Sequence, residues 1–292
     1  MGLRAHESMQ LVVNSIRLEW NTQQNKNKVL VLVEGKPDRS FYFRFLKDEV
    51  VIIKSCDGSQ GIIELRAEIE LKTRITAIVI KDSDFARING CLEANENVFY
   101  SDAHDYEMMC LKSSYLRKNL LYGYCLPYDE TIYDFIFEEL KLLSYIKWYN
   151  YTNHSSFVLK KLPLNDLTHE EIMQFDHLMS RIIKDTVIVR RKKAERNGND
   201  PNDVNVQPLD EDVFRNFLST RIDADRYEIT CGHDFIKRLI LYLKVKGVSI
   251  NKDETSFKDQ MHPYFRLEDF YNTDLYASLC LWQKARDLNI LR

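Results

Sequence analysis

The sequence predicts an α/β fold, a parallel sheet with flanking helices, followed by a mostly helical domain. Three observations carry this reading. Runs of Val, Ile and Leu recur through the first third of the chain, as they do in strands buried on both faces of a parallel sheet. Segments of helical period separate those runs, so strand and helix alternate. Beyond about residue 110 the strand-like runs cease and long stretches of helical spacing take over.

Taken in order, residues 5–20 space their apolar side chains as a helix does, and the polar stretch NTQQNKNK ends it. KVLVLVEG is the first buried strand, closed by Gly35 and Pro37, with DRSFYFRFLKD as the helix that follows. EVVIIKSC is the second strand, closed by Asp57-Gly58. GIIELRAEIELKTR is a helix with Ile62, Leu65 and Ile69 on one face and Ile63 close to it. TAIVIKDSD is the third strand and NVFYSD a short fourth. In the helical part, DETIYDFIFEELKLLSYIKWY, LTHEEIMQFDHLMSRIIKD, DEDVFRNFLST, HDFIKRLILYLKVKG and TDLYASLCLWQKARDLNIL read as helices. Thr168 and Glu171 fit a capping box. The expected division is residues 1–26 as helix and connector, 27–125 as the sheet domain and 126–292 as the helical domain. Residues 190–208, rich in Asn and breakers, are expected as a polar mobile loop.

At 292 residues, with 45% hydrophobic and 12% aromatic content, the chain can bury a sizeable core and is not a disordered tract. A formal charge of −3 gives no global field favouring a polyanion, which argues against a protein that coats DNA. The six cysteines are scattered with no C-x-x-C pair. This fits reduced packing thiols better than a zinc site or disulfide framework. The first residues lack a signal-peptide pattern, and no apolar run reaches the roughly 20 residues of a membrane span. The expectation is a soluble, cytoplasmic protein with no membrane association.

Three acids fall where open parallel sheets bind ligands, at the carboxyl ends of strands. Glu34 ends the first strand, and Asp82 and Asp84 end the third. Residues two apart on extended backbone point the same way, about 7 Å apart, so two carboxylates and a third from a neighbouring strand can share a cation. Oxygen ligands without His or Cys favour Mg2+ or Mn2+ over zinc. Such an ion can activate water and neutralise charge on a phosphodiester. The competing role for an acid just after a strand is a helix cap or a solvated turn. It is strongest for Asp38, whose place in a helix's first turn suits the dipole.

These residues also carry a resemblance. VLVLVEGKPDRSFY resembles the first Toprim motif, a strand ending in Glu-Gly, and KDSDF resembles its second, Asp-x-Asp after a later strand. AHDYEMMCL, residues 103–111, is similar to an Asp-x-Glu element in a Toprim subgroup that accompanies ATPase partners. TCGHDFIKRLILYL resembles that subgroup's Gly-His-Asp helix start, which places His233 and Asp234. The resemblance covers residues 29–111, and the helical part only through that last element. Members of the subgroup include the nuclease effector of the PARIS anti-phage system and relatives of the overcoming-lysogenization-defect (OLD) nucleases. Where Toprim proteins often have a third acid two residues beyond Asp-x-Asp, this chain has Ala86, which puts weight on Asp105 and Glu107. Haloacid-dehalogenase-like phosphatases and receiver domains fit worse. The first carry Asp-x-Asp on the first strand and the second need adjacent acids there.

The resemblance implies an Mg2+-dependent endonuclease that is the toxic effector of an anti-phage system. It implies RNA cleavage, with tRNA first, after release from an ATPase partner subunit, and a homodimer when active. In that reading Glu34 is a metal ligand or a general base through water, Asp82 and Asp84 are ligands, and Asp105 and Glu107 support a second cation. An OLD-like nuclease acting on DNA and a silent Toprim module that only binds a partner are the alternatives. Among other candidates, Lys36 and Lys81 flank the acids and could hold a phosphate, although a solvated lysine is commoner there. His233-Asp234 could act as general acid or metal neighbour, against a capping and packing role. Arg190, Arg191, Lys192 and Lys193 form the one dense basic run and could track a phosphate backbone, against a merely solvated one. The aromatic segment 144–157 could stack bases, although core packing is the simpler use.

Overall fold

In the structure, a computed structural model describing residues 3–22, 24–56, 61–160, 162–250 and 253–292, the first apolar run is β1 (Val29–Val33), buried along its whole length. It is the hub of a parallel sheet with β2 (Val51–Ser55), β3 (Ala77–Lys81) and β4 (Val98–Tyr100), in the order β2-β1-β3-β4. The alternation of side chains along a strand sends Leu30 and Leu32 to one face and Val29, Val31 and Val33 to the other. Against the first face pack α1 (Leu3–Trp20) and α3 (Ile62–Thr73), through Val13, Ile16, Trp20, Ile62, Leu65 and Ile69. The second face meets α2 (Lys36–Tyr42), α4 (Tyr106–Leu111) and α5 (Ser114–Gly123). The Asp57-Gly58 turn expected to close β2 lies outside the described residues.

The rest is helical, as expected: α6 (Thr131–Thr152), α7 (His169–Met173), α8 (Phe175–Arg196), α9 (Glu211–Ser219) and α10 (Arg226–Ile229) are followed by α11 (Gly232–Val245), α12 (Glu254–Met261), α13 (Leu267–Tyr271) and α14 (Asp274–Ala285). One apolar cluster runs from β1 through α6 and α11 to Leu291 without a break near residue 125. The chain's end returns to the sheet side, where Leu291 bridges Leu46 and the Arg292 N–H donates to Phe45 O at 2.9 Å.

Several elements differ from expectation. The helix after β1 stops at Tyr42, because the Arg44 guanidinium donates to the carbonyls of His262 and Phe265 (2.9 Å for the second) and pins the chain outward. The helix expected over 167–185 is broken at Gln174, whose backbone is extended; α7 carries the Thr168–Glu171 capping box and α8 starts afresh. The run Arg190 to Arg196 is helical, not loop, since Arg, Lys, Ala and Glu are all good helix formers. The helix ends only before Gly198, at φ 74°, so the loop expected from 190 begins at 197. Helices α4, α5, α10, α12 and α13 have no counterpart in the expected set. No helix among the described residues is long and apolar enough to cross a membrane.

Candidate metal centre

The strand order places the three acids. The chain leaves β1 for β2 on one side and returns to β3 on the other, so the carboxyl ends of β1 and β3 flank the topological switch point, where open sheets leave a crevice. Register puts Val33 beside Ile80, and Glu34 and Asp82 follow within two residues. Gly35 is extended at φ −135°, a conformation open to any residue; its smallness matters instead because a Cβ would stand 3.0 Å from Asp38 Oδ2. The Gly35 N–H donates to that oxygen at 2.9 Å, which folds Asp38 back toward Glu34.

The loop after β3 is held from β4. Ser83 N–H donates to Ser101 Oγ at 3.1 Å, and Arg87 Nη2 donates to Ser101 O at 2.8 Å. Asp84 takes a left-handed backbone at φ 44° and donates its N–H to His104 O at 2.8 Å. The two aspartates therefore do not lie on continuous extended backbone as the spacing suggested. Strained backbone of this kind is sparse and concentrates at functional sites. Asp82 Oδ1 accepts the Tyr106 N–H at 3.2 Å, which ties β3 to the start of α4.

Electrostatically the acids form one group. Burial first, then Asp84 and Asp38, push the Glu34 carboxyl up to about 7, with Lys81 opposing. Burial and the charges of Asp38, Asp105, Glu107 and Glu34 push Asp82 well above the usual range. Asp38 and Asp84 are raised too, chiefly by burial. Glu34 Oε1 is buried and accepts no hydrogen bond. Neither Glu34 nor Asp84 caps a helix among the described residues, so the capping explanation fails for both and holds for Asp38.

Asp105 and Glu107 divide their work. Asp105 is the N-cap of α4: Oδ1 accepts Met108 N–H at 2.9 Å, while Oδ2 accepts Gly232 N–H at 2.6 Å and lies 3.2 Å from His104 Nδ1. Burial works against its charge, but His104 and those two N–H groups hold it below the ordinary value. With about four lone-pair positions on a carboxylate, little remains for a cation. Glu107, two residues on, is buried with Oε1 2.5 Å from Lys258 Nζ and 3.7 Å from His233 Nε2. Burial and Asp105 push it up to about 7, against the pull of Lys258. His233 opens α11 with its ring 56% exposed and pairs with Glu254. Asp234 turns away to a buried pair with Lys147.

Of the flanking cations, Lys81 faces Glu34 and Asp84, lowering both, whereas Lys36 is exposed. Arg190, Arg191, Lys192 and Lys193 line the end of α8, with Arg190 Nη2 donating to Ser156 O at 2.6 Å. No contact joins them to the acids among the described residues. Within the aromatic segment, Tyr145 and Trp148 are core, while Tyr151 is 42% exposed and is raised by burial and by the charge of Asp84.

Four residues outside the expected set belong to the site. Asp38 joins the acids, Lys160 lies near enough to Asp84 to lower it, and Glu254 and Lys258 enter from α12. The sequence signal for Asp38 was its place three residues after Glu-Gly; α12 offered none. His104, Asp105 and Cys231 also bring ligand atoms within 4.8 Å of one another. However, the Asp105 oxygens are already engaged, and burial pushes the Cys231 thiol up, away from the thiolate a metal needs. No family model matches the chain, and no curated protein matches it either.

Proposed function

We propose that Glu34, Asp82 and Asp84, with Asp38 beside them, hold Mg2+ or Mn2+, and that the chain is a Toprim-type endonuclease. On this reading it is the toxic effector of an anti-phage system, cleaving RNA, first of all tRNA, after release from an ATPase partner, and working as a homodimer. The observation that carries the metal reading is the buried Glu34 Oε1 with no hydrogen bond, set among carboxylates whose crowding raises one another. Lys81 offsets part of this crowding, but four carboxylates gathered and buried at one sheet edge remain costly unless a further cation joins them. An all-oxygen donor set fits a hard divalent ion. Such an ion would supply charge neutralisation and a more acidic water for phosphodiester hydrolysis.

The chain's own contributions follow from position. Glu34 serves either as a metal ligand or, through water, as the general base. Lys81 and Lys160 approach the same acids from the rim and would meet phosphate oxygens. Tyr151, part-exposed near Asp84, offers a face for a base. The step from metal site to antiviral RNA cleavage rests on the resemblance of VLVLVEG, KDSDF, HDYE and GHD to the ATPase-associated Toprim subgroup.

Incubating purified protein with Mg2+ and either tRNA or supercoiled plasmid tests this. The expected result is tRNA cleavage that EDTA and Glu34→Ala abolish. Plasmid nicking with tRNA intact would replace it with the OLD-like DNA nuclease. Retained toxicity and antiviral protection in Glu34→Ala cells would leave only a partner-binding module.

A further inference from the structure

Among the groups that the helical part brings to the acidic edge is one buried cation. Lys258, on α12, is a buried lysine at 3% side-chain exposure. Its Nζ stands 2.5 Å from Glu107 Oε1, 3.0 Å from Glu254 Oε1 and 2.9 Å from His233 Nδ1. The two carboxylates are ion-pair partners of the ammonium, and the His233 ring, whose Nδ1 also meets Glu254, lies beside it with Nε2 at 3.1 Å. Glu254 is a neighbour one turn back on α12 itself, whereas Glu107 and His233 come from α4 and α11, so two of the three contacts are tertiary.

Without the lysine, the same three side chains are two carboxylates and an imidazole converging on one point. That is an ordinary ligand set for a divalent transition ion. The spacing, however, is that of an ammonium: Mg2+ takes its oxygens at about 2.0–2.1 Å, closer than any of these contacts. Burial of a lysine opposes its charge, but Glu107 and Glu254 hold it charged. The flanking groups answer in the same sense, since His233 and Lys258 keep Glu254 ionised, down to about 2, against its own burial.

We infer that Lys258 occupies the position of a second cation beside the metal edge, so that the native chain binds one divalent ion, at Glu34, Asp82 and Asp84, and not two. This rests on the metal reading above. It reassigns Glu107, which the resemblance put near a second cation, to a fixed ammonium supplied by α12. A permanent cation there lets one ion suffice, and it makes the charge balance of the centre depend on the docking of α12.

The test is the number of Mn2+ ions bound by the metal-stripped full chain, counted by equilibrium dialysis and by the electron paramagnetic resonance signal of free Mn2+. The native chain should bind one ion, and Glu34→Ala should lose it. Lys258→Met should bind a second ion, and Lys258→Met with Glu107→Gln should return to one. Two ions in the native chain, or no gain in a folded Lys258→Met, overturns the assignment. Absence of binding to the native chain overturns the metal reading instead. In that case, a single ion gained by Lys258→Met still upholds the role of Lys258, and no gain removes it. Should Lys258→Met not fold, Glu254→Ala decides: unchanged native binding upholds the assignment, and altered binding overturns it.

Discussion

The N–H of Gly232 donates to Asp105 Oδ2 at 2.6 Å, and this single bond docks the start of α11 on the start of α4. A Cβ at 232 would stand 2.4 Å from Asp105 Oδ1 and 2.6 Å from Glu107 Cβ, so nothing larger than glycine fits without separating the two helices. Gly232→Ala is therefore expected to cost about 1–3 kcal/mol of stability, as overpacking does. On the proposed function, Mn2+-supported nuclease activity should also fall by more than that loss explains, because Glu107 and His233 move with the two helix ends. Urea denaturation alongside initial rates checks this; full activity with unchanged stability would refute the close packing.

The raised carboxyls set a pH dependence. Glu34 titrates near 7 in the fold against an ordinary 4.5, so between those values the folded chain binds more protons than the unfolded one. Stability then falls as pH rises through that window, by up to about 1.4 kcal/mol per pH unit for each such group. On the proposed metal reading, a divalent ion bound by the ionised acids reverses the loss. In EDTA the melting temperature should drop from about pH 5 to about pH 7, and the gain on adding Mg2+ should grow over the same range. Glu34→Gln should flatten both trends. Equal Mg2+ stabilisation at both pH values would rule the centre out as the cause.

Why some of this was legible in the sequence and some was not follows from the range of the interactions. Val29 to Val33 and Ala77 to Lys81 announce buried strands by composition alone, and Glu34, Asp82 and Asp84 sit at their ends, so a local rule finds the switch point. The Gly232-His233-Asp234 start was visible as a pattern, but its contact with Asp105 spans 127 residues, and no periodicity encodes that. Lys258 was invisible for the same reason: in SFKDQMH it reads as an ordinary surface lysine. Arg190 to Arg196 was misjudged as loop because the Asn and Gly beyond it dominate the composition of that stretch.

Glu139 and Arg238 are the second long-range lock, joining α6 to α11. Arg238 Nε donates to Glu139 Oε2 at 2.8 Å, and Nη1 donates to the carbonyls of Leu164 and Leu167 at 2.8 and 2.9 Å. Both side chains are buried. Arg238→Met leaves the buried Glu139 carboxylate with only His169, whose Nδ1 lies 3.0 Å from Oε1, so it should cost up to about 3–5 kcal/mol. Glu139→Leu with Arg238→Met should recover much of that loss, since apolar replacements of a buried pair are often near neutral. A double-mutant cycle by chemical denaturation measures it; strict additivity would mean the two charges are not coupled.

The proposed function makes Lys160 a phosphate contact. Its charge acts on Asp84, yet its side chain is exposed, so removing it costs the fold little and should act on the substrate. For a nucleic-acid ligand each phosphate contact contributes close to one unit to the slope of log affinity against log salt. Lys160→Ala in a Glu34→Ala background should therefore weaken tRNA binding and reduce that slope by about 1. Arg191→Ala with Lys192→Ala, at the end of α8 and apart from the acids, should reduce the slope only if the backbone runs along α8. Fluorescence anisotropy over a salt series reads both. A slope unchanged by Lys160→Ala would exclude this rim as a phosphate contact, and a loss confined to the α8 variant would move the binding track there.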